Sequence, residues 1–365
     1  MANWLPPLHQ VRGLDFLGDL EPRLAREIGF RLAGVEPVHP GVIHNNRLFR
    51  LQSADGRAAM AKLYLQDGRF RLEREYDALA VLRSHGITSV PSPLARSDEH
   101  YYAVYSLEAG ENRPAAQWTT AHSTASAHFC IQLDRIRPED VHVPLRDAFA
   151  AAFSLSESVT RTRARLSLFT TYASSLGGAA DSPPEIAGLL ASIDPAAEIE
   201  RLIAAAMRGV SPDAMDARVP DRRRRLDVGD FAPHNVLIRP TGYPDGTICV
   251  LDLEYAGWDD PVAMCALFAT ADQSLGMPPA LLEAMLRVFQ DGVDLVAEER
   301  ERMERVMALM HVAWCAIHLQ LLVPELIEKK RFASPDLDVT THRMDQIATF
   351  HRRLAIARAA MTRLT

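Results

Sequence analysis

Near residue 110 the hydrophobic pattern of this chain changes period, and that change constrains its fold more than any other feature. From Leu32 to about Leu107 short strand-like runs dominate: Arg47–Leu51, Ala59–Leu65 and Tyr101–Tyr105. The turn signal Ala54-Asp55-Gly56 joins the first two as a hairpin. One helix-like stretch interrupts them, Arg71 to His85, with Leu72, Tyr76, Leu79, Ala80 and Leu82 on one side and Gly86 as its C-cap. Val90-Pro-Ser-Pro93 reads as a loop. Beyond Ala115 the spacing turns helical, over 115–136, 145–170, 184–208, 278–297, 299–322 and 340–363, with a loop at Gly177–Pro184. One stretch breaks that rule. Within 226–256 a polar loop, Gly229 to Asn235, leads into Val236–Arg239, a turn at Thr241–Gly246 and the run Ile248–Leu253, which together read as a β-hairpin set among helices. Residues 1–30 form a helical lead-in, with Leu17, Leu20, Leu24 and Ile28 at helical spacing. The order strands, helix, strands, helices predicts an α+β fold. It divides into an N-terminal lobe over 1–107 and a larger helical lobe over 108–365.

Composition excludes several classes. The chain has 365 residues, 48% of them apolar, and its 40 basic against 47 acidic residues leave a net charge of −7. That apolar content is enough for a core and too high for a disordered chain, and an acidic balance argues against a nucleic-acid binder. The four cysteines, Cys130, Cys249, Cys265 and Cys315, have neither zinc-site nor C-x-x-C spacing. With no basic n-region before an apolar stretch, they predict a cytoplasmic protein with reduced, buried thiols. The most apolar segment, Val306 to Val323, contains His311, His318 and Gln320 and ends at Pro324. It is too short and polar for a membrane span and predicts a buried core helix. Lysine occurs three times only, at Lys62, Lys329 and Lys330. In a chain that otherwise uses arginine, a compact ammonium in the strand at Lys62 stands out.

The chemistry concentrates in Val228-Gly-Asp-Phe-Ala-Pro-His-Asn235 and Val250-Leu-Asp-Leu-Glu-Tyr-Ala-Gly-Trp-Asp-Asp-Pro261. Asp230 and Asn235 are five apart on a loop, and Asp252 ends the returning strand of the hairpin, so all three converge at one end. Phosphoryl transfer needs such a set. One carboxylate orients the attacking hydroxyl and accepts its proton, while an amide oxygen and a second carboxylate hold Mg²⁺ against nucleotide phosphates.

These motifs resemble the aminoglycoside phosphotransferase and choline kinase family, whose loop reads His-Gly-Asp-x-x-x-x-Asn. Asp252-Leu-Glu-Tyr255 is similar to its choline/ethanolamine kinase side. The resemblance implies a bilobal protein-kinase-like fold, ATP and Mg²⁺ as cofactors, Asp230 as catalytic base, Asn235 as metal ligand and Asp252 as principal metal ligand. It extends to Lys62, the lysine that holds the α- and β-phosphates, and to Glu75, preferred over Glu73, the glutamate that holds that lysine. Pro40–Arg47, with Asn45 and Asn46, stands where the family has a phosphate-covering turn. Tyr105–Gly110, with Ser106 and Glu108, resembles the inter-lobe linker whose backbone pairs with adenine. The match spans about residues 32–270. It implies an ATP-dependent O-phosphotransferase acting on a hydroxyl of a sugar, aminoglycoside, amino alcohol, nucleoside or antibiotic, with no nucleic-acid or membrane partner. Cationic acceptors suit the acidic balance.

Two positions depart from the family: Val228 replaces its histidine, and Met264 its aspartate. The expectation is a polar contact exchanged for a packed one. The alternative is a nucleotide-binding regulator of the same fold without turnover. His234, Glu254, Trp258 and Asp259 are candidates for substrate contact, although His234 reads more readily as a residue that shapes the loop. Asp260 reads as the cap of a helix starting at Pro261. His311 and His318 read as partly buried core, and Arg222–Arg225 as a solvated run.

Overall fold

A computed structural model describes residues 17–38, 45–176 and 182–364. The lead-in before Leu17, residues 40–44 of the phosphate-covering turn and 177–181 of the expected loop lie outside them. Helix α1 (Leu17–Ile28) precedes strands β1 (Leu32–Val38), β2 (Arg47–Ser53) and β3 (Ala58–Leu63). Helix α2 (Arg71–Ser84) follows, then β4 (Pro93–Ser97) and β5 (Tyr102–Ser106). The five strands form one antiparallel sheet in the order β1-β2-β3-β5-β4. The expected hairpin is the β2–β3 pair, in register from Arg47↔Leu63 to Gln52↔Ala58. Strand β4 sits at an edge, where the missing N–H of Pro93 breaks no ladder bond.

Alternation along β3 decides where the lysine goes. Ala59, Ala61 and Leu63 share a core with Leu20 and Leu24 of α1, Phe49, Leu51, Tyr102 and Val104. Each of the two α1 leucines is fully buried and contributes about 2 kcal/mol. Lys62, between Ala61 and Leu63, therefore projects from the other face, where Tyr64 and Ala103 join the larger core cluster with Leu72 and Leu79 of α2.

The remainder is mainly helical: α3 (Thr120–Asp134), α4 (Leu155–Ser175), α5 (Pro184–Ser192), α6 (Pro195–Ala206), α7 (Pro212–Asp216), α8 (Ala263–Thr270), α9 (Pro279–Gly292), α10 (Ala297–Gln320), α11 (Pro324–Arg331) and α12 (Val339–Arg363). Caps trim two expected helices. Helix α4 starts ten residues later than the pattern suggests, where the Ser154 hydroxyl accepts from Glu157 N. The 184–208 stretch splits before α6, where Asp194 caps and Pro195 occupies the first turn. Helix α10 packs against α4, α6, α8 and α12. It carries the apolar segment the sequence assigned to the core.

Five short strands position the site. β6 (Glu111–Asn112), β8 (Val236–Ile238) and β9 (Ile248–Val250) form a three-stranded sheet, and β7 (Arg225–Asp227) pairs antiparallel with β10 (Gly257–Asp259). The hairpin expected within 226–256 is β8–β9, with Val236 opposite Val250.

All four cysteines are buried and free. No single helix among the described residues is long and apolar enough to cross a membrane, and α10 and α11 meet at an 82° bend. His318 is buried between Asp272 Oδ2 and Gln346 Oε1, each at 2.7 Å, a polar core network. In the arginine run Arg222 is exposed, while the three arginines after it are held by carboxylates. Arg225 is buried against Asp134 Oδ1 at 2.6 Å, Arg223 pairs with Glu299 and Asp294, and Arg224 pairs with Asp147 and Asp221. Apart from the neighbouring Asp221, these carboxylates come from α3, α9–α10 and a loop distant in sequence, which consecutive arginines do not advertise.

Candidate active site

The segment between β7 and β8 is a turn that only glycine permits at its second residue. Gly229 has φ +82°, and a Cβ there would lie 2.5 Å from the backbone of Tyr255. The loop closes through Asn235, whose Nδ2 donates to the Asp230 carbonyl at 2.9 Å and to Asp230 Oδ2 at 3.2 Å. His234 Nε2 lies 3.5 Å from the same oxygen. Burial works against a charged His234 imidazole, but the hydrogen bond and charge of Asp230, with Asp252 beyond, raise its pKa above the ordinary value. Leu251 N donates to Asn235 O at 2.8 Å, so the end of β9 is tied to the end of the loop. Asp252 follows in a left-handed conformation, φ +61°, a strained state for a non-glycine residue that turns its carboxylate out of strand geometry.

Across the seam stands Lys62, with Nζ 2.6 Å from Glu75 Oε2 and hydrogen-bonded to Asp252 Oδ1. Of the two glutamates on α2, Glu75 reaches the lysine, while Glu73 accepts from the Tyr101 hydroxyl at 3.1 Å. Tyr64 donates to Glu75 Oε2 at 2.8 Å, and its oxygen lies 2.6 Å from that of Tyr105. Burial opposes the charge of Lys62, but Asp252, Glu75 and Glu254 together hold its pKa above the ordinary lysine value. Burial pushes the Glu75 carboxyl up to about 7, with Lys62 opposing and Asp252 and Glu254 adding to the rise. One ammonium thus serves more carboxylates than it can neutralise.

The Glu254 carboxylate is turned into the protein. It is buried, and it accepts from Asn45 at 2.9 Å and from both Asn46 and Arg71. Arg71 also holds Asp67 at 3.0 Å and the Tyr255 hydroxyl at 2.8 Å. The Asn45 and Asn46 side chains are therefore spent on the seam between the sheet and the β9–β10 segment. An arginine opening a helix reads as surface in a sequence, and nothing there signals that Arg71 is the partner of Glu254. Trp258 is buried in β10, with its N–H donated to Arg146 O at 2.9 Å. Asp259 is buried and accepts from Ala152 N at 3.1 Å and Asp260 N at 2.8 Å. The helix expected from Pro261 starts at Ala263 with Val262 at its N-cap, so Asp260 does not cap it but accepts from Val262 N at 3.1 Å and pairs with Arg302 at 2.8 Å. In the linker, Ser106 N is committed to Ser92 O at 2.9 Å, and its hydroxyl donates to Glu108 Oε1 at 2.6 Å. Glu108 in turn holds Arg239 at 2.6 Å. Residues 107–110 carry no strand pairing.

Below the seam a cavity of about 710 Å³ opens, with Asp230 in its wall. Arg161 and Arg165 of α4, Met310 and Trp314 of α10, and Lys329 and Lys330 of α11 also line it. Val228 and Met264 are both buried in the same apolar cluster.

An antiparallel sheet over a helical part, with a lysine–glutamate pair and an Asp…Asn loop at the seam, defines a protein-kinase-like fold equipped for phosphoryl transfer. The sequence pattern of the phosphotransferase enzyme family (APH) matches residues 36–301, and the chain belongs to that family of small-molecule kinases. Spectinomycin phosphotransferase APH(9)-Ia, in complex with ADP and spectinomycin, superposes with a TM-score of 0.65 at 12% identity, covering 94% of this chain and 98% of that one. Ethanolamine kinase from Plasmodium vivax gives 0.56 at 14% identity over 95% and 87%. Amicoumacin kinase hAmiN, in complex with AMP-PNP, Ca²⁺ and its ligand, gives 0.55 at 14% over 96% and 97%. At these identities the likeness is one of fold. No curated protein sequence matches the chain significantly.

Proposed function

We propose that this chain transfers the γ-phosphoryl group of ATP to a hydroxyl of a small molecule bound in the 710 Å³ cavity. The observation that carries the reading is the chain of contacts Glu75–Lys62–Asp252 beside the Asp230–Asn235 loop, at the mouth of a cavity that Asp230 itself lines. Lys62, oriented by Glu75 and Tyr64, steadies the nucleotide phosphates.

The donors suit Mg²⁺ in number and kind. Among the described residues, Asp252 Oδ2 and Asn235 Oδ1 have no protein partner. No group of three or more His, Cys, Asp or Glu that could hold a metal by itself occurs among them either. A carboxylate and an amide oxygen supplemented by phosphate and water is how Mg²⁺ is commonly held. When bound with nucleotide, the ion neutralises charge on the phosphate oxygens.

Asp230 accepts a hydrogen bond from the acceptor hydroxyl and receives its proton as the acceptor oxygen bonds to the γ-phosphorus. The bond from that phosphorus to the β,γ-bridging oxygen breaks, and ADP leaves with the electron pair. Asn235 and His234 hold Asp230 in that orientation. Linker residues 107–109 supply backbone groups for adenine. Val228 and Met264 are both buried in one apolar cluster, consistent with a polar contact of related loops exchanged for packing.

The test is Asp230→Asn. Nucleotide affinity, measured by calorimetry with AMP-PNP and Mg²⁺, is expected to stay within about twofold, while phosphoryl transfer falls by about 10²–10⁴. Transfer at the wild-type rate refutes the assignment of the base.

A further inference from the structure

All three lysines of this arginine-rich chain border one cleft: Lys62 at its nucleotide end, and Lys329 and Lys330 in the cavity wall below. Arg161 and Arg165 lie one helical turn apart on α4 and line the same cavity. None of these four wall cations has a carboxylate within ion-pair distance among the described residues. Arg161 has only the Phe149 carbonyl at 3.4 Å. Neighbouring cations are otherwise matched: Arg69 with Asp67 at 3.0 Å, Arg71 with Asp67 and Glu254.

Burial and neighbouring cations act together on three of the four. Burial pushes the Arg165 guanidinium down to about 10, and the charges of Arg161 and Arg69 add to the fall. Burial likewise lowers Lys330, with Arg71 and Arg69 contributing and Glu254 and Asp230 opposing. Lys329 is lowered by burial and by the same two arginines, against Asp67. Of the cavity's carboxylates, Asp230 acts on this charge through Lys330. Asp260 is paired with Arg302, and burial raises Asp227 to about 6 and Asp259 well above the usual range, which favours a neutral Asp259. Like charges lining one cavity with no carboxylate partner are unfavourable in the free protein and are relieved by an anion. In the same wall, Met310, Ala313, Trp314 and Ile317 present one apolar face of α10.

We propose that the acceptor is an anion: a small hydroxylated molecule whose carboxylate or phosphate group sits among Arg161, Arg165, Lys329 and Lys330, with an apolar body against the Trp314 face of α10 and its hydroxyl toward Asp230. This rests on the phosphotransferase reading and sets the acceptor's class. The overall acidic balance of the chain points the other way, toward cations, but the balance of the cavity wall is what a ligand meets.

The experiment fills the nucleotide site with AMP-PNP and Mg²⁺, so that the γ-phosphate position is occupied. Binding of inorganic phosphate and of acetate is then followed by calorimetry and thermal shift, with chloride making up constant ionic strength and ethanolamine as the cationic control. Phosphate or acetate is expected to bind and raise the melting temperature, and which of them binds tighter tells phosphate from carboxylate. Ethanolamine is expected to do neither. In Arg165→Gln/Lys330→Gln the anion Kd rises by about tenfold or more, with AMP-PNP affinity within about twofold. Arg161→Gln, at an exposed position, gives the same direction without risk to the fold. Anion binding no stronger than that of chloride, equal binding to the variants, or preference for ethanolamine overturns the proposal. Failure of AMP-PNP to bind in the presence of Mg²⁺ refutes the phosphotransferase reading instead. The anion titration of the nucleotide-free protein then still decides the charge class of the cavity.

Discussion

Replacing Glu75 by glutamine is expected to stabilise the protein while disabling it. Glu75 is buried and shares Lys62 with Asp252, so its carboxyl is pushed up to about 7 from the ordinary 4.5, chiefly by burial. A carboxyl with a raised folded-state pKa binds its proton more tightly in the native than in the unfolded chain. Stability is therefore greatest below the unfolded value and falls as pH rises through 4.5 toward 7. Each pKa unit is worth about 1.4 kcal/mol, so the ionised Glu75 costs the wild type about 3 kcal/mol above pH 7, an upper figure for a site able to relax. Glutamine carries no charge and still offers an oxygen to the Tyr64 hydroxyl, which donates at 2.8 Å to the glutamate. Urea unfolding of both proteins from pH 5 to 8.5 gives the difference directly. The glutamine variant should gain about 1 kcal/mol per pH unit between pH 5 and 7, then level off. Its phosphoryl transfer should fall by about tenfold or more, because Lys62 loses the partner that orients it. A stability difference independent of pH, or full activity, refutes the argument that one ammonium is shared among excess carboxylates. Such opposition between stability and activity is common where a site awaits a charged ligand.

Further expectations follow from the packing. Val228→His should destabilise by about 1–3 kcal/mol, because an imidazole is buried without a partner, and adding Met264→Asp should recover part of that loss. A coupling energy below about 0.5 kcal/mol in this double-mutant cycle contradicts the idea that the two positions exchanged a polar contact for packing. Arg225→Ala leaves Asp134 buried without its 2.6 Å partner, and denaturant unfolding should show a loss of about 3–5 kcal/mol. A loss below about 1 kcal/mol would mean that the pair is as weak as a surface one.

The parts of this architecture that sequence exposes are those with local signals. Ala54-Asp55-Gly56 marks the β2–β3 turn, and the polar loop and turn around 229–246 mark the β8–β9 hairpin. Lys62 is conspicuous for its rarity, and strand alternation sends it away from the α1 side of the sheet. Helix ends are harder, because periodicity persists through the Ser154 and Asp194 caps that interrupt it. Strand β4 hides because it begins at a proline tolerated only at an edge, and β1 because none of its residues is fully buried. Long-range polar pairing is the least legible. Glu254 sits one residue from the Asp252-Leu253 turn and looks available to a ligand, yet Arg71, Asn45 and Asn46, almost two hundred residues away in the chain, enclose it. Arg223 and Arg225 are misjudged for the same reason: consecutive charges look solvated until Asp134, Asp294 and Glu299 arrive from other elements.

The account's central claim is that Lys62, Asp252, Asn235 and Asp230 act together on one nucleotide. A crystal structure of the chain with AMP-PNP and Mg²⁺ tests it most directly. The expected density places α- or β-phosphate oxygens within about 3 Å of Lys62 Nζ, and Mg²⁺ about 2.1 Å from oxygens of Asp252 and Asn235, with Asp230 facing the γ-phosphate from the cavity side. Nucleotide bound away from this seam, or a metal held by other side chains while Lys62 stays closed on Asp252, contradicts it.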